Sequence, residues 1–168
     1  MQQADSPDLK RDQTAADLIN RYTAWAAAAG VIPVPGLDAV AVGAVQLKML
    51  RELSAVYDVE FSANRGKSII GALVGAVAPA GVAAGAASAL KAVPVVGTTL
   101  GSIAMPAAAA AATYALGRVF TLHFASGGTL LDFNPKDYRD FMREQAAKKR
   151  SEAEAAAASH PHADAKPA

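Results

Sequence analysis

Few residues in this chain have the types and spacing that support chemistry. Gly66, Lys67 and Ser68 resemble the end of a phosphate-binding P-loop, whose backbone amides surround the phosphates of a nucleotide. The full motif needs another Gly five positions before Gly66, and Phe61 stands there. A buried strand before the motif is missing from the sequence pattern too. We therefore interpret residues 66–68 as a basic segment at a membrane edge, directly before a helix.

The histidines do not form a convincing metal or catalytic site. His160 and His162 could bind a metal weakly, but no third ligand is fixed beside them, which favours a solvated tail. His123 stands beside Phe120 and Phe124 on an amphipathic segment, as an interfacial residue does. The sequence shows no nucleophile–base pair, paired carboxylates or Gly-rich cofactor motif, and it has no Cys for thiolate metal sites. We expect no enzymatic activity, no cofactor and no metal.

Composition limits the classes of protein further. Of the residues, 52% are apolar, 18% are charged and 6% are aromatic, whereas about 25% charged residues is typical of globular domains. Because Ala and Gly supply much of the apolar share, close backbone packing is favoured over a bulky core. The net charge of +1, without a basic stripe, gives nucleic-acid binding no support.

The middle of the chain predicts a membrane hairpin. Residues 68–117 carry one charge, Lys91, which leaves uncharged stretches of 23 residues (68–90) and 26 residues (92–117). A bilayer core needs about 20 apolar helical residues, so both stretches are long enough, with the turn at residues 90–97 around Pro94. Small residues four apart let membrane helices pack closely. Three Gly pairs have this spacing and are predicted to pack helices: Gly71 and Gly75, Gly81 and Gly85, Gly97 and Gly101.

Amphipathic helices flank the predicted hairpin. Helical spacing of apolar residues begins at Thr14 and stops at Gly30, and a second helix is predicted from Asp38 to about Asp58. Asn134, followed by Pro135, is typical of the start of a last helix. We expect a disordered terminus over residues 1–13, a helical domain over residues 14–145, and a charged, Ala-rich, disordered tail over residues 146–168.

Basic residues predict the orientation in the membrane. Arg65 and Lys67 precede the hairpin and Arg118 follows it, as anchors at the membrane edge, whereas the turn has only Lys91. The positive-inside rule then places both termini in the cytoplasm. The N-terminal residues lack the pattern of a secretory signal, which also favours a cytoplasmic start.

The order of several motifs resembles the bacterial family DUF697, found in YcjF-like inner-membrane proteins. The resemblance covers roughly residues 20–130, and it departs at Asp58, where the family commonly has Gly. The positions that carry it lie in three blocks: Pro33, Pro35, Asp38, Gln46 and Tyr57; then Pro94 and Gly97; then Tyr114 and Gly117, with Gly127 and Gly128 after them.

The resemblance implies a membrane-associated helical domain of largely undefined function. The family's domain is often fused behind an Era-like GTPase domain. This chain resembles the membrane portion alone, so a GTPase supplied separately is an expected partner.

Three functions remain open at this stage. The first is a non-enzymatic module of the bacterial inner membrane that anchors or recruits a cytoplasmic partner. The second is a protein that inserts into the bilayer to form a pore or remodel it, which requires homo-oligomers through the Gly faces. The third is a soluble helical bundle that binds an apolar ligand or a partner. Fractionation after an alkaline carbonate wash separates the first two from the third.

Overall fold

The fold is all-helical over the described residues. A computed structural model describes residues 7–31, 37–77 and 98–159, and the side chains of residues 37, 38, 98–105 and 157–159 are not described. The predicted all-α class is confirmed. The helices are α1 (Pro7–Ala29), α2 (Leu37–Val56), α3 (Ala63–Val77), α4 (Thr98–Ala125) and α5 (Arg139–Ser159), with a 3-10 helix at Pro135–Tyr138.

Helices α1 and α2 form an antiparallel pair. The Tyr22 hydroxyl donates to Glu52 at 2.5 Å, and nearer the start of α1 the Arg11 guanidinium contacts Asp58 at 3.0 Å. The apolar face of α1 that the spacing predicts is buried, with the exception of Trp25. The helix ends directly before Gly30, as predicted, and the Gly30 amide donates to the Ala26 carbonyl.

Helix α4 lies at the centre of the bundle, parallel to α2. Thr113 contacts Gln46, and Phe124 contacts Tyr57, which directly follows α2. In both pairs the residue of α4 is numbered 67 higher than its partner, so the two helices run in the same direction. Leu116, Val119 and Phe120 of α4 are fully buried. Most side chains of residues 107–117 are therefore buried within the bundle, although the sequence predicted that this stretch would face lipid.

Helices α3 and α5 complete the bundle. Helix α5 runs antiparallel to α4, because Tyr138, just before α5, contacts His123, and Lys149 lies over the Tyr114 ring. Helix α3 lies between α2 and α5. The carbonyl of its residue Ala76 accepts a hydrogen bond from the Arg143 Nε at 3.1 Å.

Two helices extend past the predicted boundaries of the helical domain. Helix α1 begins at Pro7, before Thr14, and α5 continues to Ser159, into the tail that was predicted from residue 146. Distant contacts explain the earlier start, because Asp12 accepts a hydrogen bond from the Tyr57 hydroxyl at 3.1 Å. A contact over 45 positions is not visible as local periodicity. Along α5, ion pairs one turn apart support the helix.

The start of the last helical segment follows the prediction. Asn134 has an extended backbone, and its side chain accepts from the Lys136 amide at 3.2 Å. Pro135 occupies the first helical position. The Phe133 and Tyr138 rings stack at 5.0 Å across this turn, which is the hydrophobic staple that the sequence indicated.

Two helices end in the same capping motif. At the end of α2 the Val59 amide donates to the Ser54 carbonyl and the Asp58 amide to the Ala55 carbonyl; residues 123–128 repeat this pattern at the end of α4. This Schellman motif requires a left-handed residue. Gly127 supplies it with φ of 85°, and Asp58 with φ of 57°.

The structure leaves the membrane hairpin itself undecided. No helix within the described ranges combines the length and hydropathy that crossing a bilayer requires. The predicted hairpin turn at residues 90–97 lies outside the described residues. So do the following predicted positions: Pro33, Pro35, Gly81, Gly85, Lys91, Pro94, Gly97, His160 and His162.

Candidate functional site

A buried polar pair fixes the register between α2 and α4. The Gln46 Nε2 donates to the Thr113 Oγ1 at 3.1 Å, and both residues are buried. A buried amide without a partner costs free energy, so this bond makes one alignment of the two helices preferable to its neighbours. The sequence singled out Gln46, but not its partner.

His123 is the centre of a second buried polar cluster. Its Nδ1 lies 2.9 Å from the Tyr138 hydroxyl and its Nε2 lies 2.8 Å from the Thr129 carbonyl oxygen. Phe133 packs edge-on against the imidazole, with ring centroids 4.8 Å apart. A Cβ at Gly128 would clash with the imidazole, so Gly is needed there.

The chemistry of this cluster follows from the Thr129 carbonyl. A carbonyl only accepts, so the Nε2 of His123 carries the hydrogen, and in the neutral ring the Nδ1 accepts from the Tyr138 hydroxyl. Burial, with Asp137 and Asp132 nearby, raises the pKa of Tyr138. Hydrogen bonds from the Thr129 side chain and backbone lower the pKa of Asp132. The arrangement ties the end of α4 to the start of α5, where the sequence predicted an interfacial histidine.

Trp25 lies on the outer surface of the α1–α2 pair, within a group of cations. It is 46% exposed. The Lys48 Nζ lies 5.3 Å from the Trp25 ring centroid and the Arg21 guanidinium carbon lies 5.9 Å from it. Arg21 also contacts Glu52 at 2.6 Å. The spacing of apolar residues predicted a buried Trp25, whereas the structure places it beside cations at the surface.

The predicted helix-packing glycines do not share one environment. A Cβ at Gly71 or Gly75 would have no atom within 4 Å. Gly101 lies within α4. Close contacts between helices occur instead at two helical glycines that the Gly pairs did not include: at Gly66, beside Leu47 and Leu50, and at Gly117, where a Cβ would lie 2.6 Å from the Cγ1 of Ile19.

The basic residues that were predicted to be anchors at the membrane edge lie on two different helices. Arg65 and Lys67 lie in the first turns of α3, and Arg118 is exposed on α4. Arg65 lines two shallow clefts of about 230 and 270 Å³ beside Leu130. Ligand pockets usually exceed about 300 Å³, so these clefts give little support to binding of a large apolar ligand.

Comparison with known proteins identifies the family. The family described as a domain of unknown function, DUF697, matches residues 3–151. The chain belongs to the DUF697 family. It is also similar to magnetosome membrane protein 22 of Magnetospirillum gryphiswaldense, with 38% identity over 161 residues that cover 90% of this chain and 83% of that protein. No solved structure matches.

The structure explains several DUF697 positions in this chain. The Tyr57 hydroxyl donates to Asp12, and burial, followed by the effect of Asp12, raises the pKa of Tyr57 to about 12. Tyr114 is half-buried beneath the Lys149 ammonium, 5.0 Å from the ring centroid. Gly117 permits the close contact between α4 and Ile19 of α1. These positions hold helices together.

The departure at Asp58 also has a physical explanation. The position at which the chain departs from the family resemblance is left-handed, with φ of 57°. Gly adopts this conformation without strain, and Asp is among the few other residues that tolerate it. Asp58 therefore preserves the backbone that the family pattern implies.

Proposed function

We propose that this DUF697 chain is a non-enzymatic, membrane-associated helical module of the bacterial inner membrane. The bundle of α1–α5 lies on the cytoplasmic side, and the uncharged segment between α3 and α4 enters the bilayer. Both termini are then cytoplasmic. The membrane name of the relative supports membrane association.

The observation that carries the proposal is the position of the remaining apolar sequence. Residues 107–117 belong to the bundle core, which leaves residues 78–106 with Lys91 as their only charge. Those 29 residues are too few for two spanning helices of roughly 20 residues each, and with both ends in the same bundle they suit a shallow re-entrant hairpin. The proposed membrane segment is therefore shorter than the one that the sequence suggested.

Charged substitutions in that segment test the proposal. Changing Ala83 and Ala87 to Asp should release the full chain from membranes into the soluble fraction after an alkaline carbonate wash, because an Asp deep in a bilayer costs about 3 kcal/mol. The control changes Ala147 and Ala155, which are exposed on α5, to Asp and should remain in the membrane fraction. Release of the wild-type chain by carbonate alone contradicts the proposal.

Recruitment of a cytoplasmic partner, for example a GTPase, is the role that we propose for the bundle. The outer face of α2 presents Arg51 and Ala55 to solvent. Affinity capture of neighbouring gene products by the membrane-inserted chain tests this role. A charge reversal at Arg51 should weaken capture, whereas reversal at Arg139, exposed at the start of α5, should not. Equal capture by both variants argues against this face.

A soluble bundle is the second candidate function. It is favoured by the buried Gln46–Thr113 bond and by the packing of residues 107–117 in the core. A monodisperse, detergent-free preparation that does not bind vesicles would select this alternative. Vesicle binding accompanied by dye release would instead select a pore-forming or membrane-remodelling protein.

A further inference from the structure

The end of the bundle where α1 meets α2 exposes an unusual group of side chains. Trp25 is in contact with Lys48 and Arg21, and its ring packs edge-on against Tyr22 with centroids 5.2 Å apart. Trp and Lys are typical of membrane interfaces, because the indole ring and the long alkyl stem combine an apolar body with a polar tip.

Two exposed valines lie beyond this group. Val31 and Val40 are 64% and 69% exposed, on either side of residues 32–36, which carry no charge in sequence. Helix α2 rises about 12 Å from Val40 to Lys48. One headgroup layer is about 5–8 Å thick, and the long alkyl stem of Lys48 can extend towards it along the helix. The valines can therefore reach the acyl boundary while Lys48 and Trp25 lie among headgroups.

The apolar middle of the chain joins the bundle at the same end. Helices α2 and α4 are parallel with an offset of 67 positions, which places Val40 level with Ala107. The first residue of α4, Thr98, lies nine positions earlier and so extends past that level. Helix α4 thus begins on the side of the bundle on which Val31 and Val40 are exposed.

The charges at this end favour an anionic surface. Near this end of the α1–α2 pair, Lys48, Arg21 and Arg51 outnumber Asp38 and Glu52, and residues 98–106 of α4 carry no charge. The acidic residues of the facing part of α5, Glu152 and Glu154, are ion-paired with Lys149 and Arg150. The local excess of cations is therefore not offset by unpaired carboxylates on the neighbouring helix.

We propose that this end of the bundle, defined by Trp25, Lys48, Arg21, Val31 and Val40, docks directly on the headgroups of an anionic lipid bilayer. This inference rests on the proposed function and adds an orientation to it. The bundle stands with the end of α1 and the start of α2 towards the membrane and with His123 and the 3-10 helix at its far end. The contact is distinct from the apolar segment that enters the bilayer.

The chain supplies its own reporter, because Trp25 is its only tryptophan. The full chain is mixed with vesicles of phosphatidylcholine alone or with added phosphatidylglycerol, and vesicle-bound protein is isolated by flotation. Lipids brominated near the headgroup then test whether Trp25 lies at the interface. We expect a blue-shifted emission that the shallow bromines quench strongly, and more strongly when phosphatidylglycerol is present.

A matched pair of charge reversals tests the role of Lys48. Lys48→Glu should lower the ratio of docked to undocked Trp25 by about thirtyfold in phosphatidylglycerol vesicles, since each basic residue near an anionic surface contributes about fivefold. Lys136→Glu makes the same change in charge on the exposed 3-10 helix. In this variant the brominated lipids should quench Trp25 as strongly as in the wild type. Val40→Ser should reduce the blue shift, and Leu131→Ser, at a 70% exposed leucine far from this end, should not.

The outcomes separate this inference from the proposed function. Protein that floats with vesicles while Trp25 remains unquenched overturns the docking surface and leaves the membrane module intact. Equal loss of quenching in Lys48→Glu and Lys136→Glu also overturns the surface, since net charge alone would then explain binding. Wild-type protein that fails to float overturns both.

Discussion

The contact between Gly117 and Ile19 predicts that Gly117→Ala destabilises the wild-type protein but stabilises a variant that already carries Ile19→Ala. A Cβ at Gly117 would lie 2.6 Å from the Cγ1 of Ile19 and 3.1 Å from its two methyl carbons. Ile19 is 1% exposed. A β-branched side chain in a helix has one strongly preferred rotamer, so it cannot rotate away cheaply. One of the two helices, α1 or α4, must therefore shift to make room for the methyl group of Ala in Gly117→Ala.

The magnitude is a difference between two effects. Overpacking costs about 1–3 kcal/mol, and replacing Gly by Ala inside a helix gains about 1 kcal/mol. We therefore expect Gly117→Ala to lower the free energy of unfolding by about 1 kcal/mol. In an Ile19→Ala background the clash is absent, and Gly117→Ala should then raise the free energy of unfolding by about 1 kcal/mol.

Urea unfolding followed by circular dichroism measures all four members of this double-mutant cycle. Gly71→Ala is the control, because a Cβ there meets open space in the middle of α3, and it should stabilise the protein by about 0.5–1 kcal/mol. If Gly117→Ala is at least as stable as the wild type, the close contact of α4 with α1 is wrong. If Gly71→Ala destabilises the membrane-inserted protein, the predicted packing role of Gly71 gains support.

Three further predictions concern the ends and links of the helices. Asp58→Ala should lower the free energy of unfolding by about 1 kcal/mol, because Ala is strained at a left-handed position, whereas Asp58→Gly should be at least as stable as the wild type; equal stability of both variants in urea would contradict the strain. His123→Ala should cost about 2–4 kcal/mol, because it opens a cavity and leaves a buried hydroxyl unpaired, and a thermal unfolding curve that matches the wild type would argue against the cluster. The pKa values of Tyr22 and Tyr57 are raised from 10.0 to about 12, so the unfolded chain loses these protons first and stability should fall as pH rises from about 10 to about 12. Replacing both with Phe should flatten that decline, and an unchanged slope would refute the contribution of these hydroxyls.

Local sequence rules succeeded where neighbouring residues determine the structure. Gly30 ends α1, Asn134 caps the turn before α5, and Gly127 ends α4, because each depends on hydrogen bonds within a few positions. The apolar spacing likewise identified much of the buried face of α1. The DUF697 resemblance came from the same kind of short block and was confirmed.

Contacts between distant positions were beyond those rules. The start of α1 at Pro7, the surface location of Trp25 and the partner of Gln46 all depend on residues more than 20 positions away. The left-handed conformation of Asp58 was not predicted from the sequence. The need for Gly at position 128 was not predicted either, because it arises only from the clash that a Cβ there would make with the imidazole of His123.

The sequence alone determined that this chain is helical, where several helices stop, and that its middle is rich in small apolar residues. Only the tertiary structure decided what residues 107–117 face. A helix that is apolar all round is suited equally to hydrocarbon and to a protein core, so periodicity cannot distinguish these environments. The distinction is made by the neighbours: the Gln46 amide at Thr113 and the Ile19 side chain at Gly117 show that protein packs against the buried face of this part of the helix.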